Sequence, residues 1–304
     1  MHRRTFLSGL ALAFCAGCVS HNDGLTVGSK NFTEQLILGE ILKQLLESAC
    51  HAPVNGRFYL AGTYICQQAI LAGRIDAYVE YTGTALAAIL KQQVGGDASK
   101  VYAEVKEQYE RRFNLEVMPP LGFNNTFAMV MRPDDARRLG VKTLSQLAPV
   151  APQLRLGVGY EFLERQDGYQ GLVRTYGLHF AEAPRVMDLG LLYRALENRS
   201  VDIVAGNNTD GLIAALGLVV LDDDKHYFPP YDAAPVVRPG LFAKCPQARG
   251  AFESLVGRIT ADQMRAMNYA VDAEKQDPAA VAREFLASRL KLHPASWRPG
   301  WYGG

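Results

Sequence analysis

Apolar and polar positions change their spacing repeatedly along the first hundred residues. Short apolar runs predict strands, and apolar side chains that recur every three or four positions predict helices. The elements are predicted at 25–28 (strand), 34–48 (helix), 64–72 (helix) and 75–79 (strand). Thr33 is expected to cap the first helix, Gly73 to end the second, and Thr82 to Thr84 to open another helix. The alternation indicates an α/β fold with a largely parallel sheet.

The same pattern returns further along the chain. Strands are predicted at 154–158 and 201–204, and helices at 168–176 and 191–198. Ala69, Ile70, Ile75 and Asp76 have counterparts 126 positions later in Ala195, Leu196, Val201 and Asp202. The same offset places Tyr81 on Asn207 and indicates two lobes built on one plan, with chance similarity as the alternative.

Two apolar, extended stretches connect the predicted lobes. The first is a strand at 122–131, and the second, marked by prolines, lies at 228–237. Two helices are predicted after it, one from the capping box of Thr260 and Gln263 and one from Asp277-Pro278. Two crossings indicate a hinged clam shell with a ligand cleft at the carboxyl ends of the strands. The predicted lobes are 24–123 plus 235–304, and 124–234.

The first residues have the features of an export signal rather than of the fold. In segment 1–17, Arg3 and Arg4 precede an apolar stretch that is too short to cross a membrane, and the pair resembles a twin-arginine signal. Ala16-Gly17-Cys18 resembles a lipoprotein processing site with Cys18 as the lipidated residue, and plain cleavage is the alternative. We therefore expect a periplasmic or membrane-anchored extracytoplasmic protein.

The composition narrows the function classes. The chain has 304 residues, 32 Lys and Arg against 31 Asp and Glu, and 48% hydrophobic residues, so it is expected to be globular with no nucleic-acid partner. After export, Cys50, Cys66 and Cys245 remain, and an odd number leaves at least one thiol unpaired. The spacing of His and Cys indicates no metal site, and we expect no cofactor.

Aromatic, cationic and hydroxyl side chains follow the predicted strands. Lys30 follows the first strand, Tyr81 and Thr84 follow another, and Arg165 and Asn207 lie after strands of the second lobe. Such a mixture suits a small zwitterion, with its cationic head over aromatic faces and its anionic tail on Arg or N–H groups.

Five segments in order along the chain carry a family resemblance. They are VGSKNFTEQ (27–35), GRIDAYVEYTGT (73–84), GFNNT (122–126), TDG (209–211) and LDDDKHYFPPY (221–231). On these segments the chain resembles the substrate-binding proteins of ABC importers for glycine betaine, carnitine and choline. The resemblance implies a two-lobed type II periplasmic-binding-protein fold, with two hinge crossings and a cleft between the lobes. It also implies an ABC permease partner and no catalysis.

In that family, aromatic side chains surround the quaternary ammonium of the ligand. The resemblance places these cage positions at Tyr81, Phe127 and Tyr231, and a further one at Asn207, where the family usually has an aromatic residue. The carboxylate partners correspond to Lys30, Thr84 and Arg165, and Thr209 begins the matching Thr-Asp-Gly. Asn207 offers hydrogen bonds in place of a ring, so a different small polar solute is the alternative ligand.

An enzyme and a sensor are the two other function classes for such a chain. An enzyme is disfavoured because the sequence has neither Gly-x-Ser-x-Gly nor His-Glu-x-x-His, and Glu80 and Asp167 lie on different predicted lobes. A sensor that reports ligand occupancy without transport has the same sequence features as a transport receptor and stays open.

Overall fold

The computed structural model describes residues 24–92 and 96–290, which form two five-stranded sheets covered by helices. The strands are β1 (Thr26–Lys30), β2 (Asn55–Leu60), β3 (Ala77–Tyr81), β4 (Glu116–Val117), β5 (Phe127–Met131), β6 (Leu156–Val158), β7 (Arg185–Val186), β8 (Ile203–Asn207), β9 (Val219–Val220) and β10 (Ala233–Val237). The helices are α1 (Thr33–Cys50), α2 (Thr63–Leu71), α3 (Thr82–Thr84), α4 (Ala98–Phe113), α5 (Pro133–Leu139), α6 (Leu144–Leu147), α7 (Tyr160–Glu164), α8 (Tyr169–Tyr176), α9 (Leu192–Glu197), α10 (Gly211–Ala215), α11 (Pro239–Lys244), α12 (Ala248–Ser254), α13 (Ala261–Asp272) and α14 (Pro278–Leu290).

The two sheets have corresponding strand orders. The first is β2-β1-β3-β10-β4 and the second is β7-β6-β8-β5-β9. In each sheet the first three strands are parallel, and the fourth runs antiparallel to both of its neighbours. The chain passes between the sheets after β4 and returns after β9, so each sheet receives one strand from a crossing. The two-lobed α/β prediction is confirmed, whereas the sheets are mixed because each crossing strand enters antiparallel.

Asp76 and Asp202, which are 126 positions apart, make corresponding hydrogen bonds, although their donors Thr26 and Arg155 are 129 positions apart. Strands β3 and β8 begin and end at equivalent positions. Asp76 Oδ2 accepts a bond from the Thr26 N–H (2.8 Å), and Asp202 Oδ2 accepts one from the Arg155 N–H (3.0 Å). Each aspartate therefore links the start of one inner strand (β1 or β6) by a hydrogen bond to the turn before the neighbouring strand (β3 or β8).

Alternation along the strands decides which side chains meet which helix. Val27 of β1 and Val79 and Tyr81 of β3 face the apolar cluster that includes α1. Tyr78 of β3 faces the opposite cluster, which includes Cys66 of α2. Because the period is two, Tyr81 points toward α1 and its neighbour in the strand points toward α2.

Several predicted elements are found, with differences at their ends. Helix α1 begins at Thr33 itself, so the predicted Thr33 cap is wrong; its hydroxyl donates to Asp272 Oδ1 (2.5 Å) instead. The Thr260–Gln263 capping box is confirmed at α13. Helices α11 and α12 were not predicted, and neither was α7, which lies in the predicted loop before Gly168.

Three cysteines fall within the described residues, and they lie on the first lobe. Cys50, at the end of α1, forms a disulfide with Cys245, which follows α11. Cys66 is a free, buried thiol whose pKa is raised to about 12 by burial, which agrees with the expected unpaired cysteine. Segment 1–17 and Cys18 lie outside the described residues. Among the helices that the structure describes, none combines the length and apolarity that a bilayer crossing requires.

Candidate functional site

A cavity of about 90 Å³ lies between the two sheets. That is more than the roughly 10–15 Å³ that a single water molecule requires, so the cavity can hold a small solute. Seven of the eight predicted site residues line it, namely Lys30, Tyr81, Thr84, Phe127, Arg165, Asn207 and Tyr231. The structure therefore brings residues from both lobes and from the second crossing to one place.

Strand geometry explains this convergence. Tyr81 and Asn207 are the last residues of β3 and β8, which occupy equivalent places in their sheets. Phe127 begins β5 and pairs directly with Asn207 across the antiparallel ladder, so the two side chains share a face. Parallel inner strands end at one edge of each sheet, and these two edges form the cavity walls.

The second-lobe wall is built from aromatic rings. The Phe127 ring lies edge-on to Phe162 (centroids 4.9 Å apart) and to Tyr231 (5.7 Å). Phe228 lies against it as well, at 5.8 Å. Phe228 and Tyr231 both come from the second crossing, so this wall combines rings of the crossing with rings of the second lobe.

A buried ion pair lies beside these rings. Arg165 Nε and Nη2 donate to the two carboxylate oxygens of Asp167 (2.9 and 2.5 Å), and the Tyr231 hydroxyl donates to the same carboxylate (2.6 Å). The guanidinium carbon is 4.9 Å from the Phe127 ring centroid and 5.7 Å from that of Tyr231. Nη1 takes no part in the pair with Asp167, so this nitrogen can donate a hydrogen bond to a ligand carboxylate.

A second buried ion pair lies on the first lobe. Lys30 Nζ donates to Glu80 Oε1 (2.5 Å) and to Thr63 Oγ1 (2.8 Å), and it lies 4.9 Å from the Tyr81 ring centroid. Each predicted cation of the site is therefore balanced by a carboxylate and faces an aromatic ring. A ligand ammonium has to use the remaining ring faces or displace one of these side chains.

Tyr81 is held from behind the cavity. Its hydroxyl donates to Glu34 Oε1 (2.6 Å) and accepts from Gln35 Nε2 (3.1 Å). Burial and the neighbouring Glu34 carboxylate raise the pKa of Tyr81 well above its usual value, so the phenol stays neutral at physiological pH. Thr209 is fully buried and does not line the cavity; its hydroxyl donates to Glu34 Oε2 (2.6 Å).

The lobes touch at the mouth of the cavity. Glu161, in the first turn of α7, accepts a bond from the Thr63 N–H at the start of α2 (2.6 Å). A Cβ at Gly62 would lie only 2.5 Å from the same carboxylate oxygen, so a larger residue there would have to displace the Glu161 side chain. The Tyr59 hydroxyl also donates to Asp188 Oδ1 across the mouth (3.4 Å). These contacts describe a closed arrangement of the lobes.

Four carboxylates of the site were not among the predicted site residues. They are Glu34, Glu80, Glu161 and Asp167. Each accepts hydrogen bonds from another side chain or from the opposite lobe, and a sequence pattern does not reveal such contacts. Two of them could have been found from their proximity to predicted site residues, because Glu80 precedes Tyr81 in β3, and Asp167 follows Arg165 by two residues. Among the described residues, no group of three or more His, Cys, Asp or Glu is arranged to hold a metal ion.

Asp210, next to the site, gives a pH prediction. It accepts bonds from the Tyr193 hydroxyl (2.6 Å) and the Asn207 N–H (2.8 Å), yet burial raises its pKa to about 6. An acid with a raised folded-state pKa favours folding only while protonated, so the free energy of unfolding should fall as pH rises from about 4 to about 6. We expect Asp210→Asn to remove about 2–3 kcal/mol of this fall, measured by urea unfolding at several pH values.

Asp202 serves as the control for this slope. Burial raises its pKa, but bonds from Arg155 outweigh burial and lower it to about 2, so its titration window lies at more acidic pH. Asp202→Asn should therefore leave the slope between pH 4 and 6 unchanged, whatever it does to overall stability. An unchanged slope in Asp210→Asn would contradict the assignment.

Two corresponding α/β lobes that enclose a small aromatic and charged cavity define a two-lobed solute-binding protein. Residues 23–288 match the family model described as the substrate binding domain of ABC-type glycine betaine transport systems, and the chain belongs to this family. The family resemblance predicted from the sequence is thereby confirmed, and the members of this family are substrate-binding receptors.

Named relatives agree with this assignment. The chain is 37% identical over 270 residues to the ergothioneine transport permease/ergothioneine binding protein of Helicobacter pylori, covering 88% of this chain and 48% of that protein, or about half its length. It is 34% identical over 283 residues to the carnitine transport binding protein of Listeria monocytogenes, covering 92% and 91%. A crystal structure described as a glycine betaine/carnitine/choline ABC transporter aligns with a TM-score of 0.71 and 32% identity, over 87% of this chain and 98% of that one.

Proposed function

We propose that this protein is the extracytoplasmic receptor of an ABC importer and binds a small trimethylammonium compound of the glycine betaine, carnitine or choline class. The observation that carries the proposal is the cavity in which Tyr81, Phe127 and Tyr231 lie beside two cations. A quaternary ammonium group prefers aromatic faces, and a carboxylate prefers guanidinium or ammonium groups. The names of the relatives support the same ligand class.

The remaining parts of the proposal concern delivery. The receptor hands its ligand to the transmembrane subunits of an ABC permease, carries out no catalysis, and is held at the membrane if Cys18 is lipidated. Closure around the ligand is supported by the Glu161 and Tyr59 contacts across the cavity mouth. Loss of uptake on deletion of the gene supports transport, whereas unchanged uptake with a lost response to the ligand supports a sensor.

Calorimetric titration tests the ligand class. We expect saturable heat with glycine betaine, carnitine or choline, because each brings a cation to the three aromatic rings. Ectoine, which has no trimethylammonium group, is the matched control. No heat with any trimethylammonium compound up to millimolar concentration would contradict the proposal.

A second candidate ligand is a betaine that also carries a polar ring. Ergothioneine is a trimethylammonium betaine with such a ring, and the Helicobacter pylori relative is named for binding it. The observation in this chain that favours it is Asn207, whose half-buried amide lines the cavity where an additional ring would otherwise supply a π face. An amide can hydrogen-bond to a polar ring, which an aromatic side chain does less well.

Asn207→Tyr separates the two candidates. A further aromatic face should tighten glycine betaine by about 2-fold to 30-fold, because a cation–π contact is worth about 0.5–2 kcal/mol. The same change should weaken a betaine whose ring bonds to the amide. Asn207→Leu is the control, since it adds bulk without a π face and should not tighten glycine betaine. Weaker glycine betaine binding in Asn207→Tyr would show that the amide itself is used.

A further inference from the structure

We propose that Glu34 is a positioning residue for cation recognition: its buried carboxylate holds the Tyr81 ring at the cavity wall and strengthens the attraction of that ring for a bound ammonium group. Glu34 does not line the cavity, so it acts through Tyr81. The inference rests on the proposed function, since it concerns how the same site distinguishes a cation from a neutral group.

The Glu34 carboxylate accepts hydrogen bonds from four different chain segments. Oε1 accepts from the Tyr81 hydroxyl (2.6 Å) and Asn125 Nδ2 (2.8 Å), and Oε2 accepts from the Thr209 hydroxyl (2.6 Å) and Asn268 Nδ2 (3.3 Å). These donors belong to β3, the first crossing, the turn before α10, and α13. Glu34 is only 1% exposed, so its position is set by these bonds and by α1.

The direction of the Tyr81 hydrogen bond follows from its second partner. Gln35 Nε2 donates to the phenol oxygen (3.1 Å), so the hydroxyl proton is free to point at Glu34. A phenol that donates to a carboxylate gains electron density in its ring, because hydrogen bonds in a chain polarise one another. A more electron-rich ring attracts a cation more strongly.

The charge of Glu34 is what polarises the Tyr81 ring. All four donors named above are neutral groups, so they solvate the carboxylate without cancelling its charge. Charges interact more strongly in the low-dielectric interior than in water, and Tyr81 stands between this charge and the cavity. Burial raises the pKa of Glu34, while the bonds from Thr209, Tyr81, Asn125 and Asn268 oppose that rise.

The test compares glycine betaine with 3,3-dimethylbutanoate, in which carbon replaces the ammonium nitrogen and the shape is kept. The Kd of 3,3-dimethylbutanoate divided by the Kd of glycine betaine measures the preference for charge. We expect Glu34→Gln to lower this ratio about threefold to tenfold, the range of one partly lost cation–π contact. Tyr81→Phe keeps the ring but removes the hydroxyl, so it should lower the ratio similarly, and Glu34→Gln should then have no further effect. A purely structural role would weaken both ligands equally.

Asp272→Asn is the matched control. Asp272 is a partly buried carboxylate that bonds to Thr33 at the same end of α1, but it does not line the cavity. Its loss removes a nearby negative charge and should leave the ratio unchanged. A ratio that falls equally in Asp272→Asn would overturn the inference, because general electrostatics would then explain it.

A second readout needs no ligand. Loss of the Glu34 bond should change the near-ultraviolet absorption of Tyr81, giving a tyrosine difference spectrum between wild type and Glu34→Gln that disappears in the Tyr81→Phe background.

If wild type binds glycine betaine but the ratio is unaffected by Glu34→Gln, the inference is wrong and the proposed function stands. If wild type binds no trimethylammonium compound, the proposed function is wrong. The spectrum then decides the positioning role, and an unchanged spectrum overturns it.

Discussion

Arg165→Ala is expected to abolish glycine betaine binding, with a loss of at least about 100-fold, and to destabilise the fold. Arg165 is 5% exposed and forms two bonds to Asp167, so its removal leaves a buried carboxylate without its cation. Breaking a buried pair by removing one partner costs about 3–5 kcal/mol of folding stability, and the ligand carboxylate also loses its guanidinium partner. Urea unfolding and calorimetric titration measure the two effects separately.

A double variant separates binding from stability. Arg165→Met with Asp167→Asn removes both charges, and the asparagine can still accept the bond from Tyr231. Replacing a buried pair by neutral groups is often close to neutral for stability, so we expect unfolding to return toward wild type while glycine betaine binding stays lost. Choline, which has no carboxylate, should lose less affinity than glycine betaine in this variant. Equal losses for the two ligands would contradict a role of Arg165 in carboxylate binding.

Loss of the Cys50–Cys245 disulfide is expected to lower the free energy of unfolding by about 2–5 kcal/mol. The bond joins residues 195 positions apart and fastens the end of α1 to the segment that follows the second crossing. Closing so long a loop restricts the unfolded chain strongly. Chemical unfolding of Cys50→Ala and of reduced wild type should show the same loss.

Cys66→Ala provides the matched control for the disulfide. It removes the free thiol of α2 and leaves the cross-link in place. A reductant should therefore destabilise Cys66→Ala as much as wild type and leave Cys50→Ala unaffected. Three reactive thiols among Cys50, Cys66 and Cys245 in the denatured, unreduced protein would contradict the pairing.

Local patterns predicted much of the fold because strands and helices follow from the spacing of apolar residues. The equivalence of Tyr81 and Asn207 was predicted from one offset, and the structure places both at the ends of corresponding strands. Seven of the eight predicted site residues line one cavity, since the carboxyl ends of inner strands meet between the sheets.

The remaining features depend on contacts between distant segments. Thr33 was expected to cap α1, but Asp272, more than two hundred residues away, takes its hydroxyl. Glu34 meets Tyr81 only after α1 packs on the face of β3 that carries Tyr81. The pairing of Cys50 with Cys245 likewise requires the chain to return to the first lobe after the second crossing. The residue spacing within one segment cannot predict contacts between residues so far apart in the sequence.

The most direct test of the account is a crystal structure of the protein with glycine betaine bound. We expect the ligand nitrogen in the cavity between the lobes, within about 6 Å of the ring centroids of at least two of Tyr81, Phe127 and Tyr231. The ligand carboxylate should contact Arg165 or Lys30. A ligand bound outside this cavity, or with its ammonium group away from all three rings, would contradict the account.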